Sequence, residues 1–205
     1  MKPLSLLLLG LVALGSPACA QQVRPDLYDC EGCEAIYEHS FDDLDWETTV
    51  PSETEAGEPL LLSGTVYRRG GTTPAPGVVV YAYHTNAEGV YPTRGGETGW
   101  ARRHGYLRGW VKTDGRGRYL FRTIRPAPYP GRHAPAHIHL TVKEPDHPEY
   151  WIEEVVFTDD PFVTSAYRGE QEGRGGSGIV DLTRDEEGSW HGVRDIVLER
   201  HSEDR

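Results

Sequence analysis

Positive charge is scarce in this chain: its 205 residues hold 21 Lys and Arg against 32 Asp and Glu, a formal net charge of −11. A surface of that sign repels phosphate backbones, so nucleic acid is excluded as an expected partner. Long apolar runs are also missing. Beyond a run near the start, Leu4 to Leu14, no stretch approaches the roughly 18 residues that a membrane-spanning helix needs. Convincing helical periodicity is absent as well, which argues against a helix bundle. Glycine and proline, by contrast, are plentiful at 24 and 15 residues. They make the chain turn-rich and favour β structure, and the length suits one globular domain.

Residues 1–20, MKPLSLLLLGLVALGSPACA, have a lysine near the start, an apolar stretch and small residues at the end. That is the tripartite pattern of an export signal, so the expected location is periplasmic or extracellular. Two endings compete. Ala18-Cys19-Ala20 is a small-x-small cleavage site before Gln21, whereas Ser16-Pro17-Ala18-Cys19 resembles a bacterial lipobox that would leave Cys19 as a lipid anchor.

Charge is unevenly spread over the remainder. Residues 21–58 contain 12 acids and a single base, Arg24, while residues 59–205 contain 20 acids and 19 bases. An acidic N-terminal arm therefore precedes a nearly neutral body, either as a solvated face or as a face for cations or a partner. The arm carries Cys30-Glu31-Gly32-Cys33. In an oxidising compartment two thiols so placed most simply close a disulfide. A zinc site would want four ligands and finds only His39 as a distant third, and a redox motif lacks its surrounding βαβ pattern.

From residue 60 the chain breaks into short β-like runs: Leu60–Tyr67, Val78–His84, Arg118–Ile124, Ala136–Val142, Glu153–Phe157 and Val193–Leu198. Turn-forming stretches such as Pro74-Ala75-Pro76-Gly77 and Asp114-Gly115-Arg116-Gly117 separate them. This spacing predicts an all-β, antiparallel sandwich. The polar, Arg-rich stretch from Asn86 to Arg108 reads as a long functional loop over one end of it.

The chemistry concentrates in residues 122–142. His137 and His139 are two apart, so on a strand their imidazoles share a face and can converge on one metal ion. Tyr129 lies between Pro128 and Pro130, whose fixed φ angles can hold a phenol in place. Tyr91 closes the turn Ala87-Glu88-Gly89-Val90-Tyr91. Two imidazoles with two phenols favour a hard, strongly Lewis-acidic ion, because a phenol of ordinary pKa near 10 is ionised at neutral pH only by such a partner. The expected cofactor is non-haem Fe(III).

At this point the chain resembles the intradiol ring-cleavage dioxygenases, the catechol and protocatechuate 3,4-dioxygenase superfamily. The resemblance is carried by SGTVYRRGGTTPAPGVVVYAYHTNAEGVY, TDGRGRYLFRTIRPAPYP, PAHIH and VVFTDDP, in that order. It implies an immunoglobulin-like antiparallel β-sandwich with long active-site loops, occupying residues 59–205. Tyr91, Tyr129, His137 and His139 would be the iron ligands, and the substrates would be a catechol and O2. Tyr91 would leave the metal and act as an internal base, while Tyr129 would stay. Two positions depart from the family pattern. Ala134 replaces an arginine three residues before the first ligand histidine, with Arg132 the candidate to take over its charge-stabilising role. Glu154 stands in the substrate pocket where relatives place an amide, with Arg102, Arg103 and Arg132 as potential counter-charges. The competing readings are a non-catalytic secreted β-sandwich binding carbohydrate or protein, and a zinc hydrolase using His137, His139 and a third ligand such as Glu154 or His104. The oligomeric state is left open, a homodimer included.

Overall fold

The computed structural model describes residues 23–50 and 55–202; the expected export signal and Cys19 lie outside them. The strands, in chain order, are β1 (Glu47–Thr49), β2 (Pro59–Tyr67), β3 (Val79–His84), β4 (Arg108–Lys112), β5 (Arg118–Ile124), β6 (His137–Lys143), β7 (Glu149–Phe157), β8 (Ile179–Val180), β9 (Leu182–Arg184), β10 (Trp190–Val193) and β11 (Ile196–Val197). Among the described residues the α-helices are two short ones, α1 (Ala101–His104) and α2 (Ser165–Glu170). No helix among the described residues is long and apolar enough to cross a membrane.

Alternation sorts the strands into two layers. One sheet has the order β1-β5-β2-β10-β9, with β11 also on β2, and the other runs β4-β3-β6-β7-β8. Leu60, Leu62 and Phe121 of the first sheet and Val80, Val111, Ile138, Leu140, Ile152 and Val155 of the second meet in one buried core. The inner pairs β2–β5, β3–β4, β3–β6 and β6–β7 are antiparallel. The pairs β1–β5, β2–β10, β2–β11 and β7–β8 are parallel and β9–β10 is antiparallel, so both sheets are mixed. Five strands escape the sequence pattern. Three of these, β1, β8 and β9, have only two or three residues, too few for an alternating signature. The other two are β4, hidden at the end of the Arg-rich loop, and the four-residue β10, which ends where the expected run Val193–Leu198 begins and leaves that run to β11.

Between Ile138 and Leu140 the β6–β7 register shifts: Ile138 pairs with Val155 but Leu140 with Ile152, so Glu153 and Glu154 together face His139. This is a bulge, one extra residue on one strand. It allows Ile152 and Val155, three apart, both to face the core.

The acidic arm is laid along the sandwich. A 3-10 helix, Cys33–Glu38, buries Ala35 and Ile36 against Val79 and Tyr81 on the outer face of the second sheet. β1 extends the first sheet, and Leu27 is buried in the main core.

Candidate active site

The alternation of β6 sends Ile138 and Leu140 into the core and leaves His137 and His139 together on the outer face, ring centroids 4.6 Å apart. Tyr129 and Tyr91 reach the same place from two loops that are fastened to each other. The Asn86 side chain accepts hydrogen bonds from the amides of Glu88 and Val90, both at 3.1 Å, and its carbonyl accepts from the Ala127 amide at 3.0 Å. The Thr85 hydroxyl donates to the Ala127 carbonyl at 2.6 Å. Gly89 completes the junction. Its φ is +77°, and a Cβ there would lie 2.1 Å from the Pro128 carbonyl oxygen, so only glycine lets the two loops touch.

Four donor atoms converge as a result. The Tyr91 hydroxyl is 2.9 Å from His139 Nε2, the Tyr129 hydroxyl is 3.1 Å from His137 Nε2 and 3.4 Å from His139 Nε2, and the two phenol oxygens are in direct contact. Separations near 3 Å are the edges expected of ligands each about 2.1 Å from a shared ion. The far nitrogens of both rings are also engaged. His137 Nδ1 donates to the Pro135 carbonyl at 2.8 Å, and His139 Nδ1 donates to the Glu154 carboxylate at 2.7 Å. With the Nδ1 protons so placed, both Nε2 lone pairs point at the phenols, the usual outer support of metal-binding imidazoles.

The electrostatics agree with cation binding. Burial pushes the Tyr91 phenol far above its ordinary pKa, and its hydrogen bond with Tyr129 adds to this; burial raises Tyr129 as well. Burial lowers His137, keeping it neutral with a free lone pair. Burial opposes ionisation of Glu154, but the hydrogen bond from His139 offsets it and the carboxyl is held below the usual range. Both phenols stay protonated until a strongly Lewis-acidic cation displaces their protons, and the hard oxygen and imidazole donors fit a ferric ion.

The other sequence candidates fall at the margin. Glu154 lines a cavity beside His139, yet His137, His139 and Glu154 form a poor zinc triad because the carboxylate holds His139 at the nitrogen remote from the phenols. His104 is separated from His139 by Tyr83, which stacks on both rings, at 3.8 and 4.4 Å. Arg132 is exposed, with its guanidinium 5.8 Å from the centre of the Tyr129 ring. Arg103 is paired with Glu31 at 2.6 Å. Cys30 and Cys33 are joined as a disulfide, Cα atoms 5.6 Å apart, at the edge of the same cavity. Sequence reasoning missed Asn86, Gly89 and Tyr83, whose roles are contacts between distant segments.

A β-sandwich with two histidines on one inner strand and two loop tyrosines closing over them defines a class, the ring-cleaving dioxygenases of intradiol type. The family model described as "Dioxygenase" matches residues 35–170, and the chain belongs to the intradiol ring-cleavage dioxygenase family. Catechol 1,2-dioxygenase 1 of Acinetobacter lwoffii is 38% identical over 109 residues, in a match that covers 45% of this chain and 34% of that protein. The chain thus matches about a third of the length of that relative. The dioxygenase domain of a dioxygenase carbohydrate-binding protein fusion from Streptomyces sp. SirexAA-E superimposes with a TM-score of 0.58 at 25% identity, covering 77% of this chain and 90% of that one. Catechol 1,2-dioxygenase of Pseudomonas arvilla C-1 shares the fold, with a TM-score of 0.59 at 22% identity over 78% of this chain and 58% of that one.

Proposed function

We propose that the protein is a non-haem Fe(III) intradiol dioxygenase that opens catechol-type diols between their two hydroxyl carbons. The C–C bond breaks, both atoms of O2 enter the product, and a cis,cis-muconate-type dicarboxylate results. The observation that carries this reading is the convergence of the Tyr91, Tyr129, His137 and His139 donor atoms, with both imidazoles fixed from behind. Tyr91, Tyr129, His137 and His139 would hold a ferric ion there, which would supply Lewis acidity and oxidising power toward a catechol.

The protein's own residues supply the rest. Tyr91 sits on a turn at the edge of the cluster, and its high proton affinity once off the metal suits it to accept a catechol proton as an internal base. Tyr129, held between two prolines and close to both Nε2 atoms, is the anionic ligand that stays. Arg132, over the Tyr129 ring, takes the charge-stabilising role left open at Ala134. Glu154 places a carboxylate at the cavity, which favours uncharged catechols over ring carboxylates. The chain acts after export, in the periplasm or outside the cell, free or anchored through Cys19. The catalytic sandwich expected over residues 59–205 also takes in part of the arm, whose β1 pairs with β5 and whose Leu27 is buried in the main core.

Purified protein is expected to bind about one ferric ion per chain and to be coloured by tyrosinate-to-iron charge transfer. Tyr129→Phe should bleach or strongly shift that band. Colourless iron-loaded wild type, or a variant spectrum identical to wild type, would refute the ligand assignment.

A further inference from the structure

Strands β3 and β6 are antiparallel neighbours, and Tyr83 is paired directly with His139 in their register. Side chains opposite each other on one face of a sheet touch. The alternation that turns Ala82 into the core puts Tyr83 on the outer face, beside His139. Its ring lies flat on the imidazole, centroids 4.4 Å apart and planes 17° apart, and stands 5.8 Å from the ring of Tyr91. Tyr83 thus presents a face, not its hydroxyl, to His139. Of the described rings around His139 it alone is nearly parallel: Tyr91 is inclined by 32° at 6.4 Å, and His137 stands at 86°.

Tyr83 is itself held flat from behind. His104 stacks on it at 3.8 Å with planes 6° apart, the Tyr81 hydroxyl is bonded to His104 Nδ1 at 2.8 Å, and Trp100 stacks on His104 at 5.3 Å. Gly32 of the arm closes the column. Its φ is +94°, and a Cβ there would lie 3.3 Å from His104 Nε2. Trp100, His104 and Tyr83 therefore form one stack that ends on His139.

The hydrogen bond from Nδ1 to Glu154 anchors one edge of the imidazole, and the tilt of the ring about that edge is resisted by what lies on its face. A nitrogen lone pair lies in the ring plane, so tilt decides whether Nε2 aims at the point where the two phenols converge. We propose that Tyr83 is a positioning residue for the metal centre: its flat face sets the tilt of His139 and so aims Nε2 among the other donors. This rests on the ferric reading of the site. The ring face performs the task, so phenylalanine serves in its place, whereas methionine, unbranched and flexible, fills the space without a flat surface.

The test uses the full chain with Tyr83→Phe and Tyr83→Met. Ferric affinity is measured by competition with a chelator, and the tyrosinate-to-iron band is recorded. Tyr83→Met is expected to weaken iron binding about tenfold and to shift the band, while Tyr83→Phe stays within about twofold of wild type with the band in place. Wild-type affinity and band in Tyr83→Met, or an equal loss in Tyr83→Phe, overturns the proposal. If Tyr83→Met does not fold, His104→Leu decides. It removes the backing ring, leaves Tyr83 and His139 in the chain, and is expected to weaken iron binding about threefold with a band shift; no change in either overturns the proposal. If the wild type takes up no ferric ion, the ferric reading fails, and the metal-free proteins decide the positioning. In nuclear magnetic resonance spectra of histidine-labelled protein, the His139 Nδ1 proton, assigned by its absence in His139→Gln, should be protected from exchange in wild type and Tyr83→Phe and unprotected in Tyr83→Met. Equal protection in all three, or none in wild type, overturns the proposal.

Discussion

His139 is gripped from both sides: its Nε2 faces the two phenols and its Nδ1 donates to Glu154. The carboxylate therefore acts on the imidazole first and on the cavity second, and replacing it should show both effects. Glu154→Gln keeps the shape and removes the charge. An amide holds an imidazole N–H less firmly than a carboxylate does, so iron affinity is expected to fall about tenfold or more. The same change removes an anion from the cavity, where like-charge repulsion of about 1–3 kcal/mol would disfavour a ring carboxylate. The protocatechuate-to-catechol ratio of kcat/KM should then rise by about one decade or more. Iron titration and O2 uptake read the two separately; a protocatechuate preference already present in wild type and untouched by the substitution would show that Glu154 does not set selectivity. The His-x-His pair and Tyr129 between its prolines are legible in the residues themselves, whereas Tyr91 is singled out only by the resemblance to the intradiol dioxygenases. The contact of Glu154 with His139 is not legible, since strict alternation on β7 cannot place both Ile152 and Val155 in the core, and the extra residue that allows it has no mark in the sequence.

Among the elements, the junction of the two tyrosine loops is the most exposed to small changes. Gly89→Ala forces a Cβ to within 2.1 Å of the Pro128 oxygen in a left-handed conformation. The conformation alone costs about 1–2 kcal/mol, and the contact can be relieved only by moving Tyr91 away from Tyr129. Expected are a lower melting temperature and a weakened, shifted charge-transfer band; a variant with wild-type spectrum and stability would show that the junction is slack. Asn86→Ala gives a milder version through another route. It removes the acceptor for two loop amides, at about 1 kcal/mol for each hydrogen bond, and should lower iron occupancy while leaving the core strands folded, as amide exchange in β2 and β6 would report. The strands β2, β3, β5 and β6 follow from alternation and turn residues almost to the residue, whereas β7 begins four residues before the expected run, at Glu149. The short edge strands do not, because their pairing is decided by what lies beside them.

For the molecule as a whole, acid sensitivity is built into the interior through a histidine that is not among the four candidate donors. His84 ends β3 facing inward, its Nδ1 donating to the Thr85 carbonyl at 2.7 Å and its Nε2 bonded to the Thr123 hydroxyl at 2.6 Å, tying one sheet to the other. Burial drives its pKa down to about 4. Because the folded value is depressed below the unfolded one of about 6.5, the unfolded chain takes up a proton that the folded chain refuses. Stability should therefore be full above about pH 6.5 and be lost as pH falls toward 4, by about 3 kcal/mol from this group. His84→Gln removes that titration. Urea unfolding at about pH 7 and about pH 4.5 should show the acid-induced loss shrinking by about 2 kcal/mol in the variant, although the variant is less stable at neutral pH. An equal loss in both proteins would assign the acid sensitivity elsewhere, His104 included, since burial lowers that ring to about 4 as well.

The β class is written in the sequence, through alternation and the glycine and proline turns, as is the pairing of His137 and His139 on one strand face with Tyr129 held between prolines; Tyr91 joins them only through the family resemblance. The sequence by itself also determined that an acidic arm with a cysteine pair stands before the sandwich. These are local properties: a strand's two faces and a turn's residues are written within a few positions of each other. What only the tertiary structure decided is where segments far apart in the chain meet. Tyr91 finds His139 across 48 positions, Cys33 lies against Thr141 across 108, and the arm becomes a wall of the cavity. Such meetings depend on register, on one extra residue in β7 and on a glycine small enough to let two loops touch, and none of these is visible until the sheets are packed.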